Sequence, residues 1–228
     1  IRSTQRLTIP SFSMLNHHRY IVVEGPIGVG KTTLVKKLAQ TFGTGLMLEK
    51  VDENPFIAQF YQNPARYALS TQLSFLLQRA EQVQNFRQID LFQNAHIADF
   101  LIDKDPIFAE LTLNPDEFKL YQTIYQQLTI DAPRPDLVIY LQAPVEVLQL
   151  RIATRDRSYE KSISFDYLSQ LSDAYTRFFH EYDEKTLLTV NTQSIDLIHN
   201  DADYNALIDE IDQVQSGRHY FNQSSFSY

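Results

Sequence analysis

Apolar residues fall along this chain in two rhythms. Short, mainly apolar runs occupy residues 19–24, 46–49, 95–99, 136–142 and 187–191, and lack the polar alternation of a strand with one wet face. Such runs predict interior strands of a parallel sheet. Between them, apolar residues recur three and four apart, which predicts helices. One begins at Thr32-Thr33-Leu34-Val35-Lys36-Lys37-Leu38-Ala39. Residues 55–90 read mostly as helix, with Pro64 tolerated near a start and Tyr67, Leu69, Leu73, Leu76, Leu77 and Ala80 as an apolar face. Another helix is expected from about Asp116 to Leu128, and further ones at 144–153, 163–184 and 201–215. Pro133 and Pro135 close the connection into the fourth strand, and the polar tail after Gly217 has no assignment. Strand and helix alternate throughout, so the fold class is α/β with a five-stranded parallel sheet flanked by helices.

The junction of the first strand and first helix carries chemistry. Gly25-Pro26-Ile27-Gly28-Val29-Gly30-Lys31-Thr32-Thr33 is a Gly-x4-Gly-Lys-Thr loop between a buried strand and a helix N-terminus. Glycines let backbone N–H groups turn inward on phosphate oxygens, and the helix dipole adds partial positive charge. Lys31 can bridge the β- and γ-phosphates of ATP, and the Thr32 hydroxyl can ligate Mg²⁺. The sheet is therefore of the P-loop NTPase type, with ligands expected at the carboxyl ends of the strands.

Bulk composition narrows the partners. At 228 residues without a mid-chain composition shift, one domain over 19–222 is expected, with 1–18 an N-terminal extension and 223–228 a tail. A net charge of −8 and pI near 5.2 argue against a nucleic-acid surface, which needs clustered Lys and Arg. With no cysteine, disulfides, thiolate catalysis and zinc–thiolate sites are excluded. No apolar run approaches the roughly 20 residues of a membrane span and the first residues lack the apolar core of a secretion signal, so a cytoplasmic location is expected.

A phosphate cradle alone leaves kinase, hydrolase and switch open. Glu49, at the end of the second predicted strand, is placed to take the proton of an attacking hydroxyl, or is merely solvated. Gln72 and Arg79 lie seven apart, hence on one face of a helix, where an amide and a guanidinium can read a nucleobase edge or form an ordinary polar pair. Arg151, Arg155 and Arg157 crowd one short stretch of an acidic chain. They suit a mobile lid over transferring phosphates, though a solvated helix face reads similarly. Asp99, ending the third strand, is the candidate Mg²⁺-side carboxylate, with Asp136 weaker because it precedes its strand. The six histidines show no metal-ligand spacing and read as structural.

Together these segments resemble the deoxynucleoside kinase family, in its bacterial deoxyadenosine/deoxyguanosine kinase branch, over about Arg19 to Asn222. The likeness rests on the phosphate loop, on Asn54-Pro55-Phe56 with Phe60-Tyr61-Gln62-Asn63-Pro64, on Gln72 through Arg79, on Asp103-Lys104-Asp105-Pro106-Ile107-Phe108-Ala109, on Asp136 through Leu141, and on the arginine cluster followed by Glu160. The resemblance implies ATP-dependent 5′-phosphorylation of deoxynucleosides, with a lean toward purines, by a homodimer. It implies that Glu49 is the base, that Gln72 and Arg79 read the nucleobase, and that Tyr61 and Glu160 hold the sugar 3′-hydroxyl. Arg151, Arg155 and Arg157 would form the lid over ATP, with Phe75 and Phe108 as walls beside the base.

One departure stands out. The family commonly carries an acid followed by Arg and Ser after the third strand, the Arg orienting the 5′-hydroxyl; here the segment reads Ala98-Asp99-Phe100-Leu101. Either Lys104, a point charge rather than an arginine fork, or another cation replaces it, or Glu49 and Mg²⁺ alone position the hydroxyl. A thymidylate-like nucleoside monophosphate kinase, which needs extra cations for the acceptor phosphate, and a non-catalytic nucleotide-binding subunit remain as alternatives.

Overall fold

The computed structural model describes residues 18–88, 95–129, 132–155 and 157–222. The expected extension, as far as residue 17, and the expected tail from 223 lie outside the described residues, as do positions 89 and 90 of the long predicted helix. Strand β1 (Tyr20–Glu24) leads into helix α1 (Lys31–Phe42), then β2 (Gly45–Met47), α2 (Ile57–Gln62), α3 (Pro64–Gln88) and β3 (His96–Ala98). Next come α4 (Asp105–Thr112), α5 (Pro115–Thr129), β4 (Leu137–Gln142), α6 (Val145–Ala153) and α7 (Phe165–Glu181). Strand β5 (Thr186–Asn191), α8 (Asp201–Gln213) and β6 (Arg218–Phe221) complete the order.

The sheet runs β2-β3-β1-β4-β5-β6, with every pairing parallel. Six strands replace the expected five. Arg218-His219-Tyr220-Phe221 has no apolar run to announce it; as an edge strand it pairs on one side only, with Leu187 to Val190, and carries polar side chains without penalty. Helix α4 also lacked a signal of its own, being one short apolar-rich segment. The 55–90 helix is two helices broken at Asn63, with Pro64 opening the second, where its missing N–H costs nothing.

Strand β1 shows why the runs carry no alternation. Ile21 and Val23 enter a core with Leu34, Val35 and Leu38 of α1, Leu148 of α6, and Leu207 and Ile211 of α8. Tyr20 and Val22 enter a second core with Val83 and Phe86 of α3, Ile107 of α4, and Leu171, Tyr175 and Phe179 of α7. Both faces of the sheet are thus roofed by helices, and both residue parities must be apolar. Helix α3 departs from the expected face: Leu77 is exposed, while Thr71, Gln72, Leu76, Arg79 and Ala80 are buried. Its buried stripe includes polar groups because part of that stripe lines a cavity rather than a core. The carboxyl ends of β1, β2 and β3 deliver the phosphate loop, Glu49 and Asp99 to one rim.

Candidate active site

Two glycines fix the shape of the phosphate loop. Gly25 has φ 150 and Gly28 φ 87. A Cβ at Gly25 would lie 2.5 Å from the Leu141 carbonyl oxygen, and one at Gly28 2.8 Å from that of Leu148. Side chains are excluded there, so the loop packs against β4 and α6 with its amides free to turn toward an anion. Lys31 Nζ stands over the loop, donating to the Gly25 carbonyl at 2.6 Å and the Pro26 carbonyl at 3.3 Å. Burial lowers its pKa, partly offset by the charge of Glu24. Thr32 Oγ1 donates to Asp99 Oδ2 at 2.5 Å, and Asp99 Oδ1 accepts the Glu49 N–H at 2.6 Å. One carboxylate at the end of β3 thereby ties the start of α1 to the segment after β2.

Beside the loop opens a cleft of about 900 Å³, mouth included, lined among others by Lys31, Thr32, Glu49, Gln72, Arg79 and Glu160. Tyr61, Phe75, Lys104, Phe108, Arg155 and Arg157 line it too. Glu49 and Arg79 form an ion pair inside it, while Arg79 Nη1 donates to Asp105 Oδ1 at 2.5 Å. Burial alone would raise the Glu49 pKa, but the charges of Arg79 and Lys104 and the Arg79 hydrogen bond pull it to about 2. Burial holds the Asp105 carboxyl above its ordinary range despite Arg79, and Asp105 Oδ2 has no hydrogen-bond partner. The Phe75 ring lies under the Arg79 guanidinium at 5.1 Å. Gln72 is buried on the same helix face, one wall of the cleft.

Lys104 sits in a second buried network. Its Nζ pairs with Glu24 Oε2 at 3.4 Å and lies 4.9 Å from the Phe108 ring centre. Glu24 also accepts from the Gly25 N–H at 2.9 Å, the Leu101 N–H at 2.9 Å and the Tyr175 hydroxyl at 3.0 Å. Four donors satisfy one fully buried carboxylate, joining the phosphate loop, the β3 exit and α7.

The arginine-rich segment crosses the cleft as a lid. Arg157 donates to Glu160 Oε1 at 3.0 Å and to Asp52 at 3.2 Å, and the Tyr159 hydroxyl donates to Asp52 at 2.5 Å. The Tyr159 ring stacks on Tyr61 at 5.9 Å. Arg155 lies 3.7 Å from Glu160 Oε2, a buried atom with no hydrogen-bond partner. Arg151 stands apart. It is fixed in α6, donating to the Val29 carbonyl at 3.2 Å, Thr192 Oγ1 at 3.0 Å and the Thr192 carbonyl at 2.8 Å. There it lines a second cleft on the other side of the phosphate loop, with Thr33, Thr192 and residues 195–199. Asp136 lies off the site, its carboxylate accepting the Arg19 and Tyr20 N–H groups at 2.8 and 3.0 Å.

Several participants were not singled out from sequence. Glu24 had a signal, a carboxylate closing an otherwise buried strand, which demands partners. Asp105 had a weaker one, an acid before Pro106 at a helix start. Asp52, Tyr159, Tyr175, Thr112 and Thr192 had none, since each matters only through a neighbour distant in sequence.

The pattern of one family, Deoxynucleoside kinase, matches residues 21–216. A deoxyguanosine kinase of Bacillus subtilis (strain 168) is 37% identical over 205 residues, covering 88% of this chain and 99% of the relative. The deoxyadenosine/deoxycytidine kinase of the same organism is 28% identical over 213 residues, covering 88% and 97%. Among solved structures, the deoxyadenosine kinase of M. mycoides with bound dATP is 23% identical with a TM-score of 0.72, over 85% of this chain and 99% of that one. That structural likeness speaks to the fold.

Proposed function

Because the chain belongs to the deoxynucleoside kinase family, we propose that it transfers the γ-phosphoryl group of ATP to the 5′-hydroxyl of a deoxynucleoside, purines foremost, through the residues of this cleft. The observation that carries the reading is the convergence, in one cavity, of a phosphate loop with its Lys31, an ionised Glu49, and an uncharged wall of Gln72, Phe75 and Phe108. The 5′-oxygen bonds to the γ-phosphorus, the bond from that phosphorus to the β–γ bridging oxygen breaks, and the hydroxyl proton passes to Glu49. A carboxylate held near pKa 2 is a weak base but is ionised at neutral pH, and a loose phosphoryl-transfer transition state asks little base strength. Lys31, the loop amides and Arg155 offset the charge on the equatorial oxygens. Lys104 takes the place of the family's arginine from four residues further on, lining the same cleft while paired with Glu24.

Mg²⁺ fits the oxygen donors at the rim. Thr32 Oγ1 and Asp99 Oδ2 already lie 2.5 Å apart, and hard hydroxyl and carboxylate oxygens are what this ion prefers. Among the described residues no three His, Asp or Glu side chains form a cluster that could hold a metal ion. Bound there, it would neutralise charge on the β- and γ-oxygens. Glu160 Oε2 and the Tyr61 hydroxyl suit the sugar 3′-hydroxyl. The second cleft, beside Arg151 and Thr192, suits the adenine of ATP. The cytoplasm suits this activity; among the described residues no helix is long and apolar enough to cross a membrane.

The monophosphate-kinase reading meets an obstacle in the charges. Arg79 is engaged by Glu49 and Asp105, Lys104 by Glu24, and Arg157 by Glu160 and Asp52, leaving few cations to greet an acceptor phosphate. A coupled ADP-release assay with each of the four deoxynucleosides and their 5′-monophosphates decides. Turnover of deoxynucleosides supports the proposal; turnover of monophosphates alone, or of neither while ATP still binds, overturns it.

A further inference from the structure

Resting on that reading of the cleft, we propose that Thr112 is a positioning residue that fixes the Gln72 amide and so sets which purine the site prefers. Thr112 closes α4 and reaches Gln72 from α4 while contributing nothing to the cavity lining. Its Oγ1 lies 2.6 Å from the Phe108 carbonyl oxygen, and Gln72 Nε2 lies 3.3 Å from Oγ1. Two oxygens at the first distance require a proton between them, and a carbonyl has none to give. The single hydroxyl hydrogen therefore points at Phe108, and Gln72 faces only lone pairs. The amide nitrogen, not its oxygen, must stand there. Which end of an amide points where is ordinarily settled by the surrounding hydrogen bonds; here they leave one answer.

Gln72 Oε1 and the second N–H are then offered to the ligand in one fixed order. A 6-aminopurine presents a donor at its 6-substituent and an acceptor at N1, whereas a 6-oxopurine presents an acceptor and a donor at those positions. Each pairs with a carboxamide through two hydrogen bonds, but with the amide oxygen and nitrogen exchanged. For a given seat of the base, one purine is paired as the amide stands. The other forces the amide over, which breaks the bond to Thr112 and sets two oxygens against each other. Losing that bond and incurring that clash corresponds to discrimination of about tenfold in kcat/KM.

The test is the ratio of kcat/KM for deoxyguanosine to that for deoxyadenosine in the unaltered protein and in Thr112→Val, Thr112→Ala and Thr112→Ser. Removing the hydroxyl in the Val or Ala variant frees the amide, so the ratio moves about tenfold toward one, through a gain on the disfavoured purine, while Ser keeps it. A residue serving packing alone would lower both values together and leave the ratio unmoved. A ratio unchanged in whichever hydroxyl-free variant folds, or near one in the unaltered protein, overturns the proposal. Absence of turnover with every deoxynucleoside is a separate result, which removes the reading of the cleft and this inference with it.

Discussion

Glu49, the proposed base, is kept ionised by the group that also occupies it. With Arg79 and Lys104 near, its carboxyl titrates near 2, so it stays charged across the working range; without them, burial dominates and pushes it up. Replacing it in Glu49→Gln is expected to lower kcat by about a hundredfold or more with ATP affinity little changed, as isothermal titration and steady-state kinetics would show. In Arg79→Gln, kcat/KM should gain an acidic limb, falling as pH drops through about 5 to 7, because the protonated carboxyl accepts no proton. Asp105 titrates in that variant too, so comparison with the Glu49→Gln/Arg79→Gln double variant isolates the Glu49 limb. The linkage to stability has the sign of a depressed carboxylate: the contribution is present above about pH 4.5 and is lost as pH falls toward 2. Lys104 is tied to stability as well as to chemistry. Lys104→Met leaves Glu24 charged and buried, at a cost of about 3 kcal/mol in denaturant unfolding, whereas Glu24→Gln/Lys104→Met removes both charges and should recover most of it.

At the scale of elements, the lid and the turn carrying Asp52 behave as a clasp. Tyr159 and Arg157 reach Asp52 across the mouth of the cleft, so Tyr159→Phe with Asp52→Asn should raise KM for the nucleoside several-fold, with smaller effect on kcat, since such exposed bonds contribute only about 1 kcal/mol each. Legibility in the sequence divided along the same lines. Strands β1, β4 and β5 and the phosphate loop could be read because a fully buried parallel strand and a Gly-rich turn each leave a local mark. Strand β6 could not, because an edge strand of Arg218, His219 and Tyr220 looks like a loop. Gln72 and Arg79 were placed on one helix face by spacing alone, yet nothing local says that Asp105 holds Arg79 or that Asp52 catches the lid. Arg151 and Arg155 share the second cleft, but only Arg155 also lines the first, because α6 ends between them.

The whole molecule gathers its chemistry at one edge of the sheet. Each of β1, β2 and β3 ends at a group of the proposed site, and α3, α4 and the lid close the space above them, the arrangement in which the proposed nucleotide and acceptor would meet in line. We propose that the exposed apolar groups Leu77 on α3, at 55%, and Leu120 on α5, at 50%, are covered by a second copy in the homodimer that the family resemblance implies. Sedimentation velocity should give twice the chain mass for the unaltered protein and a monomer for Leu77→Lys/Leu120→Lys. The central claim, that an acidic side chain after the second strand meets the sugar's primary hydroxyl in front of the phosphate loop, is tested most directly by a crystal structure with deoxyguanosine and a non-hydrolysable ATP analogue. A Glu49 carboxylate oxygen is expected within about 3 Å of the 5′-oxygen, with that oxygen facing the γ-phosphorus. A sugar bound elsewhere, or a 5′-oxygen turned away from Glu49, would contradict it.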